Sequence, residues 1–167
     1  GAKVDYSVTG AGRSLAFGDF DGDGRDDLAV SGETTSVLFG QDDGALSAPI
    51  EYAEDSFYVE VGDLDGDGDL DITTGSNGAL LNGGDGAFAI AEGGCETDQD
   101  YISALGELTG DGGLDLAVLW DDWETVIVFP GNGDGTFAEG LYYFVPNYPY
   151  SIAIGDINGD GRNDLTL

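Results

Sequence analysis

The chain has 167 residues, with 34 acidic against 4 basic side chains and a formal charge of -30. That balance excludes nucleic acid and anionic membrane surfaces as partners, because both are bound through a basic face. No histidine is present, which excludes His-based triads, His zinc sites and imidazole acid–base chemistry. The one thiol, Cys95, can make neither an internal disulfide nor a cysteine metal cluster. Acidic chains are often disordered, but 41% hydrophobic and 11% aromatic residues are enough for a packed core. Thirty glycines, far above the usual share of about 7%, call for a fold dense in tight turns. No apolar run approaches the ~20 residues that span a bilayer.

The first element in chain order is a short apolar stretch, Leu15-Ala16-Phe17-Gly18, that runs into the acidic loop 19–27 and out through Leu28-Ala29-Val30. The loop, Asp19-Phe20-Asp21-Gly22-Asp23-Gly24-Arg25-Asp26-Asp27, recurs at 63–71, 107–115 and 156–164, at spacings of 44, 44 and 49. Each copy is followed by a strand-like stretch, Leu70-Asp71-Ile72, Leu116-Ala117-Val118 and Leu165-Thr166-Leu167 in the later ones. A second motif alternates with the first. Val37-Leu38-Phe39-Gly40 leads to Asp43-Gly44, Leu80-Leu81-Asn82-Gly83 to Asp85-Gly86, and Val128-Phe129-Pro130-Gly131 to Asp134-Gly135. Asp-Gly between apolar runs is a strong hairpin signal, because the primed turns need positive φ.

Each unit therefore reads as strand, acidic loop, strand, short loop, strand, Asp-Gly turn, strand, with no room for a helix. Four antiparallel strands every ~44 residues are the period of a propeller blade. The two interleaved motifs resemble the FG-GAP/VCBS-type repeats of integrin alpha-subunit propellers and of many secreted bacterial proteins, over essentially the whole chain. The expected fold is all-β: a single partial propeller over 1–167 with about 3.5 blades and the acidic loops between strands 1 and 2. Units are expected at approximately 10–54, 55–98, 99–146 and 147–167, with 1–9 as a fourth strand of an adjacent blade.

The acidic loops read as calcium sites. Ca2+ takes six to eight oxygen ligands in flexible geometry, and side chains at loop positions 1, 3, 5 and 9 with the carbonyl of position 7 can wrap one ion. Loop one offers Asp19, Asp21, Asp23 and Asp27 with the Arg25 carbonyl. Loop two offers Asp63, Asp65, Asp67 and Asp71 with the Asp69 carbonyl. Loop four offers Asp156, Asn158, Asp160 and Asp164 with the Arg162 carbonyl. Loop three, with Glu107, Thr109, Asp111, Asp115 and the Gly113 carbonyl, is expected to be the weakest of up to four sites. Glycine at position 6 (Gly24, Gly68, Gly112, Gly161) permits the bend. The distal Glu of a helical calcium loop is missing, since Val30 and Thr74 stand there, and the flanks are strand-like; a β-hairpin loop fits better. Four carboxylates so close would repel strongly unless neutralised.

In an up-and-down blade the acidic loops and Asp-Gly turns share one face. The opposite face gathers Trp120, Trp123, Tyr148 and Tyr150, which could stack on a glycan or anchor a protein, or simply pack between blades. Tyr142-Tyr143-Phe144 is expected in strand four and the inter-blade core. No nucleophile–base pair is readable, so no enzyme is expected. The leading expectation is a calcium-stabilised extracellular or cell-surface adhesion scaffold for a protein or glycan ligand. A self-assembling extracellular subunit that pairs through blade edges, and an accessory propeller of a secreted polysaccharide-degrading enzyme, are the alternatives.

Overall fold

The computed structural model describes residues 4–54, 57–74, 78–91, 93, 102–120, 124–147 and 149–167, and among them there is no helix. The first sheet holds β1 (Leu15–Gly18), β2 (Asp27–Val30), β3 (Thr34–Leu38) and β4 (Ile50–Glu54). The second holds β5 (Glu60–Gly62), β6 (Asp71–Thr73), β7 (Ala79–Asn82) and β8 (Phe88–Ala91). The third holds β9 (Ile102–Gly106), β10 (Asp115–Trp120), β11 (Thr125–Phe129) and β12 (Leu141–Phe144), and β13 (Ala153–Gly155) pairs with β14 (Asp164–Thr166). Neighbours in sequence are neighbours in each sheet, all antiparallel.

One register closes every acidic loop. Gly18 pairs with Asp27, Gly62 with Asp71, Gly106 with Asp115 and Gly155 with Asp164. The first strands touch in series, β1 with β5, β5 with β9 and β9 with β13, so the sheets fan out from a line of first strands as propeller blades do.

The core lies between blades. Phe20, Ala29 and Val37 of the first unit are buried against Val59, Ile72 and Leu80 of the second. Phe88 closes that junction edge-on to Phe20 and Tyr52, with centroids 5.6 and 5.3 Å apart. Burying one such large apolar side chain contributes about 1.5–3 kcal/mol. Neighbours cover both faces of the middle strands: β6 is buried throughout and β10 in all but its last residue, and β10 accordingly reads as a continuous apolar run from Leu116 to Leu119.

Two expectations meet a different outcome. Tyr142, Tyr143 and Phe144 do lie in strand four of their blade, but all of β12 is exposed rather than core. An open cleft lined by Leu141 and Tyr143 of β12 and by Leu165 and Leu167 lies between this strand and the pair β13 and β14. Residues 4–14 form no strand; they lie along the first blade, where the Leu46 amide donates to Tyr6 Oη and Thr9 Oγ1 donates to Glu51.

Candidate metal centres

Each acidic loop is a hairpin bend built from backbone-to-carboxylate bonds. In loop one, Asp19 accepts the amides of Asp23 (3.0 Å) and Gly24 (2.9 Å). In loop two, Asp63 accepts those of Gly66 (2.8 Å) and Gly68 (3.1 Å). Asp156 of loop four accepts the amides of Gly159, Asp160 and Gly161. These amides, Gly161 foremost, hold the Asp156 carboxyl below its ordinary range. Glycines at positions 4 and 6 adopt positive φ in all four loops, for example 71° at Gly22 and 87° at Gly24. That conformation is strained for residues with a Cβ. Position 6 was legible in the sequence; position 4 is a second requirement of the same bend.

The result in loops one and two is a convergence of acids. One oxygen from each of Asp19, Asp21 and Asp27 lies within 4.8 Å of the others, as do oxygens of Asp63, Asp65 and Asp71. Hard, oxygen-only donors packed this closely suit a divalent cation of the Ca2+ class. Asp23 and Asp67 are not in these triads. Asp23 instead pairs with Arg25 at 2.8 Å, and Arg25 also reaches Asp42 at 3.0 Å. The Asp67 carboxylate accepts the Asp69 amide at 2.9 Å. Among the described residues, loops three and four form no such triad. In loop three the Glu107 carboxylate bends back to the Gly110 amide and Asp111 accepts the Gly113 amide. Asn158 in loop four accepts the Asp160 amide at 2.8 Å.

Position 9 has a further role that sequence reasoning missed. Asp27 is fully buried and accepts the Phe20 and Gly40 amides, at 2.8 and 2.7 Å. Asp71 does the same for Leu64 and Asn82, both at 2.8 Å. Asp115 accepts from Leu108, Thr109 and Gly131. One carboxylate thus staples the start of the acidic loop to the start of the Asp-Gly turn, which puts both turns on one face. Asp164 keeps the inner half of the pattern, accepting the Ile157 amide at 3.1 Å. Burial raises the Asp27 and Asp71 carboxyls above their usual range against the pull of these amides, and the charges of Asp21 and Asp23, or Asp65 and Asp67, push the same way.

Neighbouring units buttress the loops. Asn82 Nδ2 donates to the Phe20 carbonyl at 2.7 Å and the Gly135 amide to the Leu64 carbonyl at 3.3 Å. A Cβ on Gly86 would stand 3.2 Å from Asp21 Cβ. The loops and turns of the second and third units also enclose an open cleft of about 460 Å³ that Asp63, Asp111 and Asn132 line.

On the opposite face, Trp120 ends β10 half-buried against the Leu116, Val118, Ile127 and Phe129 cluster, which is the packing role. Tyr150 is 85% exposed. Trp123 and Tyr148 lie outside the described residues.

Residues 19–74 and 107–166 match the FG-GAP-like repeat family. The match covers more than half of the chain, and the chain belongs to that family. Both matched stretches open on position 1 of an acidic loop, Asp19 and Glu107. No curated protein matches. Among solved structures, the chain is similar to a chain of the Tc holotoxin pore of Photorhabdus luminescens, at 19% identity and a TM-score of 0.52. The likeness covers 95% of this chain and 8% of that one, and it bears on the fold. Among the described residues no helix is long and apolar enough to cross a membrane.

Proposed function

We propose that this chain is a calcium-stabilised, non-catalytic extracellular scaffold that binds a protein or glycan through the face opposite its acidic loops. The observation that carries the calcium reading is the pair of carboxylate triads, Asp19/Asp21/Asp27 and Asp63/Asp65/Asp71, on bends whose glycines are all at positive φ. Each triad would supply three ligands, with position 5 and the position 7 carbonyl (Arg25, Asp69) completing the shell. A bound ion would neutralise charge that the apo loop holds at close range, and so lock the hairpin that carries strands one and two. Loops three and four, lacking a triad, would bind more weakly.

Extracellular calcium modules have Kd values of roughly 0.1–1 mM. At ~10 mM free calcium, binding then contributes about 1.4–2.7 kcal/mol per site. Two sites alone are a large part of the ~5–15 kcal/mol that holds a domain folded. The test is thermal denaturation in excess chelator and in millimolar Ca2+. A melting temperature raised by calcium and restored after chelator is removed supports the proposal; identical curves refute it. Exposed Tyr150 supports a recognition role for the opposite face, and glycan-array binding that Tyr150→Ala abolishes would identify the ligand class.

A further inference from the structure

We infer that Asn82 couples the first two acidic loops, so that cation uptake by one favours uptake by the other. The inference rests on the calcium reading of those loops and adds a residue that is none of the proposed ligands. Asn82 ends β7 where the Asp-Gly turn of the second unit begins, and it is buried. Its Nδ2 donates to the Phe20 carbonyl of loop one at 2.7 Å and to the Leu70 carbonyl of loop two at 3.2 Å. Its Oδ1 accepts the Gly84 and Gly86 amides at 3.1 and 3.2 Å. Its own backbone amide donates to Asp71 Oδ1 at 2.8 Å. A side-chain amide has two donors and two acceptor lone pairs, and here all are used. The flipped group would set donors against the glycine amides, so the side chain has one orientation.

Both carbonyls stand beside triad carboxylates. Phe20 lies between Asp19 and Asp21 and gives its amide to Asp27, while Leu70 precedes Asp71. The rest of the turn fills the same gap between loops. A Cβ on Gly86 would stand 3.2 Å from Asp21 Cβ, and one on Gly84 2.6 Å from Asp69 Oδ2. The turn from Asn82 to Gly86 is thus a wedge that each loop holds from its own side. Ordering loop one fixes the Phe20 carbonyl, which fixes the Asn82 amide and through it Leu70 and Asp71. The same path runs in the other direction. Conformational freedom of the shared turn is lost once, at the first binding, so the second site forms more readily. Such coupling is reciprocal and commonly amounts to about five- to 150-fold in affinity. The counterparts of Asn82 in the first and third units are Phe39 and Pro130, whose side chains have no hydrogen-bond donor. The third unit's turn reaches loop two through the longer bond of 3.3 Å from Gly135 to Leu64, so loops two and three are expected to be coupled less.

The experiment is a series of NMR spectra of the full chain at rising Ca2+. The Gly24 and Gly68 amides, which donate to Asp19 and Asp63, report loops one and two separately. Against the parent affinity with the other loop filled, Asp21→Ala is expected to weaken binding at Gly68 about fivefold or more, and Asp65→Ala to weaken it at Gly24 by the same factor. Electrostatics alone gives the opposite sign. The substitution removes one negative charge where a bound ion neutralises two, so the emptied loop is the more attractive neighbour. Asp65→Ala is expected to move the Gly112 response of loop three less. Asn82→Asp keeps the acceptors for Gly84 and Gly86 and removes both donors. In that background, whose added charge is common to every measurement, emptying one loop is expected to leave the other unchanged. Should Asn82→Asp not fold, the contrast between Gly24 and Gly112 decides. Loops one and two that bind independently or oppose each other overturn the coupling and leave the calcium reading intact. Loop three coupled to loop two as strongly as loop one is overturns the role of Asn82. No calcium response at any loop overturns the calcium reading and the coupling with it.

Discussion

The Asp27 carboxylate accepts the Gly40 amide at 2.7 Å across 13 positions of sequence. With its second oxygen on Phe20, Asp27 is a buried joint between two turns as well as a member of a carboxylate triad. The two roles can be separated in chelator, where only the joint remains. Asp27→Ala, Asp71→Ala and Asp115→Ala each strand at least two donors. At roughly 1–3 kcal/mol per buried unsatisfied group, each is expected to lose about 2–5 kcal/mol in urea denaturation with excess EDTA. Asp164→Ala, at a half-exposed site, is expected to lose less than about 1 kcal/mol. Equal losses at Asp71 and Asp164 would contradict the staple.

Gly131 provides a steric test. A Cβ there would collide with the Leu114 carbonyl oxygen, which is backbone and cannot swing away. Gly131→Ala is expected to cost about 1–3 kcal/mol or more by overpacking. Gly155→Ala, with nothing near it, should stay within about 0.5 kcal/mol of the parent. Both φ values are ordinary, so the contrast reports space alone.

Calcium titration by calorimetry is expected to resolve two stronger sites and weaker ones. Asp21→Ala combined with Asp65→Ala takes one acid from each triad and should remove the stronger class. Arg25 holds a positive charge at loop one, where loop two has Asp69. Asp63→Ala is therefore expected to remove the tightest binding, and Arg25→Gln to tighten loop one by about two- to fivefold, within the ~1 kcal/mol range of an exposed charge.

The pH dependence should carry the mark of Glu60, on β5 at the junction with the third blade. Burial raises its carboxyl above the ordinary value of 4.5, against the hydrogen bond from Ser103 Oγ at 2.9 Å. A raised acid binds more protons folded than unfolded, so its contribution is complete below pH 4.5 and is lost as pH rises through the folded value. Glu60→Gln, which can still accept from Ser103, is expected to raise the melting temperature at pH 7 and to match the parent near pH 4. A gain that persists at low pH would assign the effect to packing.

The parts legible in the sequence are those made by local bonds. The acidic loops rest on carboxylate-to-amide bonds spanning two to seven residues, such as Asp23 to Asp19 and Leu64 to Asp71, so their spacing announces them. The hairpin turns at Gly44 and Gly135 are local in the same way. Other parts depend on partners far along the chain. Asn82 Nδ2 reaches the Phe20 carbonyl over 62 positions, and nothing near Asn82 signals it. The exposure of Tyr142 to Phe144 was illegible for a related reason: an aromatic strand is core only if something covers it. The glycine that ends each first strand was visible as a pattern, but its purpose needed the neighbouring blade.

The buttressing of the first three loops runs in one direction. Asn82, Gly135 and Asn163 brace the loop of the unit before theirs, so these three loops are completed by residues that a ribosome releases later. A chain emerging from its N-terminus would mature one unit behind its own synthesis. The earliest acidic bend would wait unfinished until the second blade is out, and ion uptake would then proceed as an ordered wave along the polypeptide.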